Sequence, residues 1–588
     1  MDYGAIVIGT GFGGTIAATR LAEKGNKQVL LLERGTWWLT PEMLGKPPES
    51  QQKPLRKWLE ETGQPIQFWP RPDHAEGLLD LFACIRHNGN KHGLYQYSMF
   101  GQAHILTASG VGGGSLIYSN VTLEPQPGVL QGIGLALGRA EYDAAQAWMA
   151  TNRGRLSRIV TKIPLPGRDV SDLREDDYLY LDRSRALKEA AKQVTQQRGI
   201  VAPWAPLDLS VIDYDPAPDS DSAQAHTFCE RQGRCMLGCL PQARHTLNKT
   251  LYKRLLANPQ SGVALQPLAE VRHLASVPGG YAVTYLDHRD GGREVTITAP
   301  IVFLAAGTLG TTEILLRSRE RGALRLSDAL GSRFSTNGDF GGFAVGTAHP
   351  VYSTRGPINT CHVQLSVNNT HITIEDCAIP SMFAALASTA LGILDNVMKR
   401  EAFRAKLVLS WTAKMVPDLR DFLPMIPDPH NPMSYRTEAE MVSNIFFFNV
   451  MGQDDASGRF ELRNDHLDLD WPKPIAQHPL FAKIEDLLKA FSEAMGGRYV
   501  ALPLWRGLAQ QKLIVTHPLG GCPVGRTSSE GVVDEFGRVF DGAKPRGSTD
   551  VLPNLYIVDG SVIPGALAAN PTLTIAAQAV KAVKAALP

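Results

Sequence analysis

Near the C-terminal end of the chain, His517 is a residue whose type could perform acid–base chemistry, and Asn570 is one whose amide could hold a reacting group. His517 precedes a proline and two glycines that fix a loop backbone, and histidine exchanges a proton near neutral pH. Asn570 stands before Pro571 and could donate a hydrogen bond to a substrate oxygen. The pattern alone fits equally well a loop histidine and an asparagine that caps a helix with proline at its first position.

Three closely spaced cysteines, Cys229, Cys235 and Cys239, form a second group of residues with chemical potential. Seven cysteines in 588 residues make no disulfide framework, and the odd number fits a reducing compartment. Clustered thiolates in such a compartment indicate metal or redox chemistry, and zinc would take a fourth ligand, for which His226 or His245 is near. Buried structural thiols, an iron–sulfur cluster and a zinc site are all open at this point.

A glycine-rich motif, Gly9-x-Gly11-x-x-Gly14, lies between an apolar run typical of a buried strand and a helical run. Its glycines allow the backbone to approach a pyrophosphate at the N-terminus of the helix. The next apolar strand ends at Glu33, where a carboxylate accepts hydrogen bonds from ribose hydroxyls. The motif therefore predicts a dinucleotide site without separating FAD from NAD.

The composition favours a globular enzyme. Hydrophobic residues make up 44% and charged residues 20%, and the net charge of +1 predicts no nucleic-acid partner. The first residues contain no leader pattern, so we expect a cytoplasmic protein or a processed chain. The most apolar segment, residues 382–394, is shorter than the roughly 20 residues that span a bilayer and predicts a buried or lid helix.

Further glycine turns follow apolar runs at 110–117, 301–308 and 555–560, and a final helix is predicted over 573–586. An NAD module would be complete within about 150 residues, whereas these pieces span the chain, so the more extended FAD is favoured. Alternating patterns predict a meander and then an antiparallel sheet; the segments are 263–274, 281–285 and 295–299 for the meander, and 362–367, 372–374, 445–450 and 460–462 for the sheet.

Taken together, these motifs resemble the glucose–methanol–choline (GMC) oxidoreductase family, in its cholesterol-oxidase-like branch. The matching segments, in the family's order along nearly the whole chain, are GTGFGG at 9–14, GVGGGSLIYSNV at 110–121, FLAAGTLGTTEILLRS at 303–318, THPLGGCPVG at 516–525 and LYIVDGSVIPGALAANPTLTIAAQAV at 555–580.

The resemblance implies an α/β protein with a discontinuous Rossmann-type FAD-binding domain and a substrate domain built on a six-stranded antiparallel sheet with a helical lid. The expected FAD-binding domain comprises 1–40, 98–125, 226–340 and 505–588; an excursion covers 41–97, and the substrate domain comprises 126–225 and 341–504. The implied reaction is oxidation of an alcohol to a carbonyl by hydride transfer to the flavin N5.

The resemblance also implies roles for individual residues. His517 matches the catalytic histidine, Asn570 its partner, and Glu375 the glutamate that cholesterol oxidases use as the base for moving a ring double bond. The positions that match FAD contacts are Gly9, Gly11, Gly14 and Glu33 for pyrophosphate and ribose, Gly113, Gly114 and Ser115 beside the isoalloxazine, Val271 at the adenine, Asp559 at the ribityl chain and Thr572 at the pyrimidine edge.

The implied substrate is a hydrophobic, sterol-like or long-chain alcohol, and the implied electron acceptor is O2 or an electron-transfer protein. The lid could touch a membrane surface to collect a lipid. Two alternatives stay open. One is a sugar or glycoside dehydrogenase, since the three cysteines resemble the three-iron cluster site of bacterial FAD glucose and fructose dehydrogenases. The other is a lyase that uses FAD only as a scaffold.

Overall fold

The computed structural model describes residues 1–25, 28–38, 93–153, 162–164, 178–211, 229, 231, 233, 235–237, 239, 243–380, 442–506 and 511–588. Most of the predicted excursion at 41–97 and all of the predicted lid helix at 382–394 lie outside these residues. In the part of the chain that is described, no helix is both long enough and apolar enough to cross a membrane.

Eight α-helices and twenty-two strands are assigned within the described residues. The helices are α1 (Phe12–Glu23), α2 (Val129–Ile133), α3 (Arg139–Arg153), α4 (Asp182–Arg198), α5 (Leu247–Leu251), α6 (Gly307–Glu320), α7 (Pro479–Ala494) and α8 (Thr572–Ala586). The strands are β1 (Ala5–Ile8), β2 (Val29–Leu32), β3 (Tyr95–Met99), β4 (Ala103–Ala108), β5 (Lys162–Pro164), β6 (Tyr178–Tyr180), β7 (Trp204–Pro206), β8 (Val263–Gln266), β9 (Ala269–Val277), β10 (Gly280–Asp287), β11 (Arg293–Ala299), β12 (Val302–Leu304), β13 (Phe340–Val345), β14 (Cys361–Val367), β15 (Thr370–Cys377), β16 (Ile445–Gly452), β17 (Arg459–Arg463), β18 (His466–Asp470), β19 (Arg498–Ala501), β20 (Leu513–Val515), β21 (Arg538–Phe540) and β22 (Val551–Ile557).

A six-stranded sheet of order β21-β22-β12-β1-β2-β8 joins the two ends of the chain. All its pairs are parallel except the edge pair β21–β22. Strands β1 and β2 are buried on both faces, as their unbroken apolar sequences predict. Helices α1 and α8 pack together beside this sheet, so the predicted closure by the C-terminal strand and helix is confirmed.

A second six-stranded sheet, of order β19-β13-β16-β15-β14-β7, is antiparallel throughout. Its interior strands carry the apolar side chains of the main core, among them Phe446, Phe448 and Ile374. A parallel sheet joined to an antiparallel sheet is the α/β architecture that the sequence predicts.

Two segments differ from the sequence prediction. The predicted strand over 263–274 is split, because Leu268 adopts a left-handed backbone with φ of 58° after Pro267. Its first half, β8, joins the parallel sheet, and only its second half, β9, enters the meander with β10 and β11. The strand predicted at 460–462 pairs with β18 in a separate two-stranded ribbon and not with the large antiparallel sheet.

The division into domains stays a prediction, and helix α3 bears on it. This helix lies in the range assigned to the substrate domain, yet it packs against α8 of the FAD-binding range. The hydroxyls of Tyr142 and Thr574 lie 2.8 Å apart at this contact. We therefore place the start of the substrate domain after α3.

Candidate active site

The glycine motif forms the turn between β1 and α1. Gly9 has a φ of 97°, a left-handed conformation that favours glycine. A side chain at Gly14 would place its Cβ 2.0 Å from the Gly9 carbonyl oxygen, so this position admits no larger residue. Helix α1 begins at Phe12, directly after Gly11 of the motif, which brings its free N–H groups to the turn.

Glu33 stands at the end of β2 beside this turn, as predicted. Its Oε2 accepts hydrogen bonds from the Thr10 hydroxyl at 2.6 Å and the Thr10 N–H at 3.2 Å, and its Oε1 accepts one from Gly35 N–H at 2.9 Å. Burial raises the pKa of Glu33, while these hydrogen bonds act in the opposite direction. A carboxylate accepts about four hydrogen bonds, so Glu33 keeps capacity for one further donor, such as a ribose hydroxyl.

A cavity of about 760 Å³ extends from the glycine turn to the antiparallel sheet. Of the predicted site residues, those that line it are Gly9, Gly11, Glu33, Gly113, Gly114, Val271, His517, Asp559, Asn570 and Thr572. Gly14, Ser115 and Glu375 stand behind its wall. The fold therefore brings residues from across the whole chain to one site.

His517 lies on the cavity wall, with its side chain 19% exposed, and its ring contacts the carboxylate of Asp339. The imidazole Nδ1 is 2.7 Å from the Asp339 Oδ1. Burial lowers the pKa of His517, but the charge of Asp339, this hydrogen bond and the charge of Glu375 outweigh it and raise the pKa above that of free histidine. With Nδ1 held by Asp339, Nε2 is the nitrogen left for a substrate.

Asn570 lies on the same wall, and its amide does not cap helix α8. The residue at the cap position is Pro571, and no side chain bonds to the free N–H groups of the helix. The Asn570 Nδ2 instead donates a weak hydrogen bond of 3.5 Å to Glu375 Oε2. The interpretation of Asn570 as a helix cap is therefore wrong, and its amide is available to the cavity.

Glu375 lies fully buried behind Asn570. Its Oε2 accepts hydrogen bonds of 2.9 Å from Nδ2 of both Asn359 and Asn449. Burial raises its pKa to about 7, although the hydrogen bonds from Asn449 and Asn570 and the charge of His517 lower it. Among the described residues, neither Glu375 Oε1 nor Asn570 Oδ1 has a partner. Glu375 is therefore poised between its acid and base forms near neutral pH.

The neighbouring Asp376 fixes the strand that carries Glu375. It forms an ion pair of 2.5 Å with Arg183 Nε, and both side chains are at most 1% exposed. Arg183 also donates to the carbonyls of Arg355 and Pro357. Asp376 accepts further hydrogen bonds from Thr360 and Cys361. This network holds Glu375 rigidly in place.

The chain is similar to known proteins in sequence and in fold. The family model described as GMC oxidoreductase matches residues 504–579, the stretch that contains His517 and Asn570. Cholesterol oxidase of Mycobacterium tuberculosis is 26% identical, covering 99% of this chain and 90% of its own length. Cholesterol oxidase of Acinetobacter baumannii is 24% identical, with coverage of 99% and 94%. The structure of pyridoxine 4-oxidase from Mesorbium loti matches with a TM-score of 0.55 at 15% identity, covering 99% of both chains.

Residues 504–579 therefore match the GMC oxidoreductase C-terminal domain, and the whole chain is similar to cholesterol oxidases. Enzymes of the family generally use FAD and oxidise alcohols.

The wall of the cavity fits FAD at its glycines. A Cβ built on Gly11 or Gly114 meets no protein atom within 4 Å, although both residues line the cavity. The protein itself therefore leaves room for side chains here. A dinucleotide that contacts the backbone closely is the physical reason for glycine at such positions.

Replacement of Gly11 by valine tests this fit. Gly11 has an ordinary φ of −69°, so the fold should survive, but the new side chain would enter the space of the dinucleotide. Overpacking costs about 1–3 kcal/mol, and we expect FAD to bind at least about tenfold more weakly in a fluorescence titration of the deflavinated protein. The matched control is Gly132→Val, at an exposed site outside the cavity. Equal FAD affinity in both variants would contradict the assignment.

The side chains of Asp559 and Ser115 are both held by hydrogen bonds within the protein. The Asp559 carboxylate accepts four hydrogen bonds, two from Ser561, one from Gly307 N–H and one from the Thr311 hydroxyl. Its acceptor capacity is thereby filled, so a ribityl contact would use its backbone or displace one donor. Ser115 Oγ donates to the Gly112 carbonyl and fixes the glycine loop that contains Gly113 and Gly114.

The three cysteines give no metal site within the described residues. Cys235 is buried, and Cys229 and Cys239 are partly buried. Burial is the main cause that raises the pKa of Cys229 to about 12, and the charge of the neighbouring Cys235 is the second cause. No group of three metal-ligating side chains is arranged to hold an ion in the part of the chain that is described, while His226 lies outside it. The iron–sulfur hypothesis stays a prediction.

Sequence reasoning missed four polar residues of the site: Thr10, Asp339, Asn359 and Asn449. Asn449 was detectable, because it is an amide in the otherwise apolar run of β16 and lies in register opposite Glu375. Asp339 gave no signal, since 178 residues separate it from His517.

Proposed function

We propose that this protein is a GMC oxidoreductase that oxidises the hydroxyl group of a hydrophobic alcohol, sterol-like or long-chain, to a carbonyl. The observation that carries the proposal is the convergence of His517 and Asn570 on one cavity, each backed by a buried carboxylate. When bound, FAD supplies the acceptor for the hydride that leaves the alcohol carbon. The chain itself must remove the proton and hold the oxygen.

His517 is the residue that we assign to proton removal. Its Nε2 takes the hydroxyl proton while the C–H bond breaks and the C=O bond forms. Asn570 uses an amide N–H to hold the same oxygen, since its only hydrogen bond to the described residues, to Glu375, is weak. The two side chains together fix the orientation of the alcohol, which lowers the barrier by positioning as well as by proton transfer.

The wall next to the reacting pair supports a hydrophobic substrate. Its apolar members are Met236, Phe340, Ile358, Cys377, Phe447 and Leu502. Burial of apolar surface gains about 25 cal/mol per Å², so a sterol or alkyl chain would gain more from this wall than a sugar. The two cholesterol oxidase relatives, each aligned over 99% of this chain, support the same class. The lid at 382–394 and its contact with a lipid surface remain predictions.

The first test is the visible spectrum of the anaerobic protein before and after addition of a 3β-hydroxysterol. We expect the flavin bands to bleach with the sterol and to persist with glucose. Bleaching by glucose alone would overturn the hydrophobic assignment. Bleaching only by long-chain alcohols would restrict the substrate to that part of the proposed class.

We assign O2 as the electron acceptor, since the relatives are named oxidases. Admission of air to the reduced protein should restore the flavin bands and release one H2O2 per alcohol oxidised. Reoxidation only by an added electron carrier would reject O2 and favour an electron-transfer protein.

Glu375 is assigned as the base that moves a ring double bond after oxidation. Replacement by glutamine keeps the amide contacts but removes the base, so a 5-ene sterol should be oxidised and then accumulate as the unconjugated ketone. Ultraviolet absorbance of the conjugated enone measures the difference. Formation of conjugated product at the parent rate by Glu375→Gln would refute the role.

The same variant has an expected effect on stability. The pKa of Glu375 is raised to about 7 by burial, so the folded state keeps a proton that the unfolded state loses near pH 4.5. The stability that this proton contributes is fully present below pH 4.5 and is lost as the pH rises to about 7. We expect Glu375→Gln to lose less stability than the parent protein across this interval in denaturant titrations.

A further inference from the structure

The Asp339 carboxylate makes four polar contacts with two adjacent residues, Thr516 and the proposed base His517. Its Oδ2 accepts hydrogen bonds from Thr516 N–H at 2.6 Å, Thr516 Oγ1 at 3.1 Å and His517 N–H at 2.8 Å, while its Oδ1 pairs with His517 Nδ1 at 2.7 Å. The Asp339 side chain is only 6% exposed. One buried carboxylate thus holds both the backbone and the ring of His517.

We propose that Asp339 is the positioning residue that makes His517 a base, an inference that rests on the proposed function. A neutral imidazole carries its proton on one nitrogen and accepts on the other. The Asp339 carboxylate accepts a hydrogen bond from the proton on Nδ1. The lone pair is then on Nε2, the nitrogen that is left for the substrate. When Nε2 takes the alcohol proton, the negative charge of Asp339 stabilises the imidazolium, and Asp339 itself stays ionised.

The charges around His517 determine in which direction its pKa should change when Asp339 is replaced. Asp339 and Glu375 are the charged groups whose fields reach the imidazole, and both raise its pKa against burial. Glu375 in turn lies next to Asp376, whose charge is balanced by Arg183. Removal of the charge at Asp339 therefore lowers the pKa of His517 and weakens it as a base.

The loop that carries Asp339 also holds the segment before Asn570. Asn337 Oδ1 accepts from the N–H groups of Leu567 and Ala568, and its Nδ2 donates to the Ala569 carbonyl. Residues 335–339, which we call the bridging loop, are anchored by Asp454. This partly buried carboxylate accepts hydrogen bonds from Ser335 and Thr336 and makes no hydrogen bond to His517 among the described contacts. Asp454 supplies a matched control, a carboxylate that holds the same loop without touching the base.

The test compares Asp339→Asn with Asp454→Asn in the FAD-loaded protein. We expect the acidic limb of the pH profile for flavin reduction to move at least about one pH unit lower in Asp339→Asn, with a lower plateau, because a nearby opposite charge shifts a pKa by about 1–3 units. Asp454→Asn should lower stability while its acidic limb stays in place. Asp339→Glu, which restores the charge, should recover part of the shift.

A second readout does not depend on turnover. In protein with isotope-labelled histidine, the His517 resonance is assigned by its absence in His517→Gln and is titrated by NMR. We expect its pKa to fall in Asp339→Asn and not in Asp454→Asn. Equal titration of parent and Asp339→Asn would overturn the inference even where alcohol oxidation stands. Unchanged flavin reduction in His517→Gln would overturn the proposed function instead.

Discussion

Flavin reduction by the alcohol should fall by at least about 100-fold when either His517 or Asn570 is replaced by alanine, the usual weight of an acid–base or oxygen-holding group. His517→Ala removes the proton acceptor, so the hydroxyl proton must pass to water. Asn570→Ala removes the amide that orients the alcohol oxygen, and it also leaves Glu375 with two amide donors instead of three. Anaerobic stopped-flow spectroscopy of the flavin bands measures both effects.

The control for this experiment is His349→Gln, at an exposed histidine outside the cavity wall. The FAD content of all three variants should match that of the parent protein, because neither alanine creates a clash. Reduction at the parent rate in both alanine variants would remove the assignment of the reacting pair. A loss of rate in His349→Gln as well would point to a general loss of folded protein.

Replacement of Arg183 by methionine should cost about 3–5 kcal/mol of stability, the largest structural effect that we expect in this chain. The guanidinium neutralises Asp376 in a region where both side chains are at most 1% exposed. Methionine fills similar space but leaves a buried, unpaired carboxylate and also unsatisfied carbonyls at Arg355 and Pro357. Denaturant unfolding with saturating FAD measures the loss.

The double variant Arg183→Met with Asp376→Asn separates charge from packing. Neutralising Asp376 removes the unpaired charge, so the double variant should be more stable than Arg183→Met alone. If Asp376→Asn instead destabilises the Arg183→Met protein as much as it destabilises the parent protein, the unpaired charge is not the cause of the lost stability. The matched surface pair Lys192–Glu189, exposed on both sides, should cost less than about 1 kcal/mol when broken.

The sequence predicted best those parts of the fold whose determinants are local. The glycine turn, the apolar strands of the parallel sheet and the last helix all follow from residues within one or two turns of each other. The positions of His517 and Asn570 on one wall came from the family resemblance. Local pattern did not distinguish Asn570 in the site from a helix cap.

The parts that could not be predicted depend on contacts between distant segments. The Asp339–His517 pair and the Arg183–Asp376 pair join residues separated by 178 and 193 positions. No periodicity reports such pairs, because each partner is an ordinary polar residue in its own segment. The split between β8 and β9 was missed for a different reason, since a non-glycine residue, Leu268, takes the left-handed conformation there.

The bridging loop has a consequence for how the substrate range of this enzyme can change. It leads directly into β13 of the antiparallel sheet, and it holds the backbone before Asn570 as well as His517 itself. A shift of that sheet would therefore carry both reacting side chains together and preserve their spacing. Under the proposed function, substitutions at wall positions such as Phe447 and Leu502 would change the shape of the cavity without altering the contacts that hold His517 and Asn570.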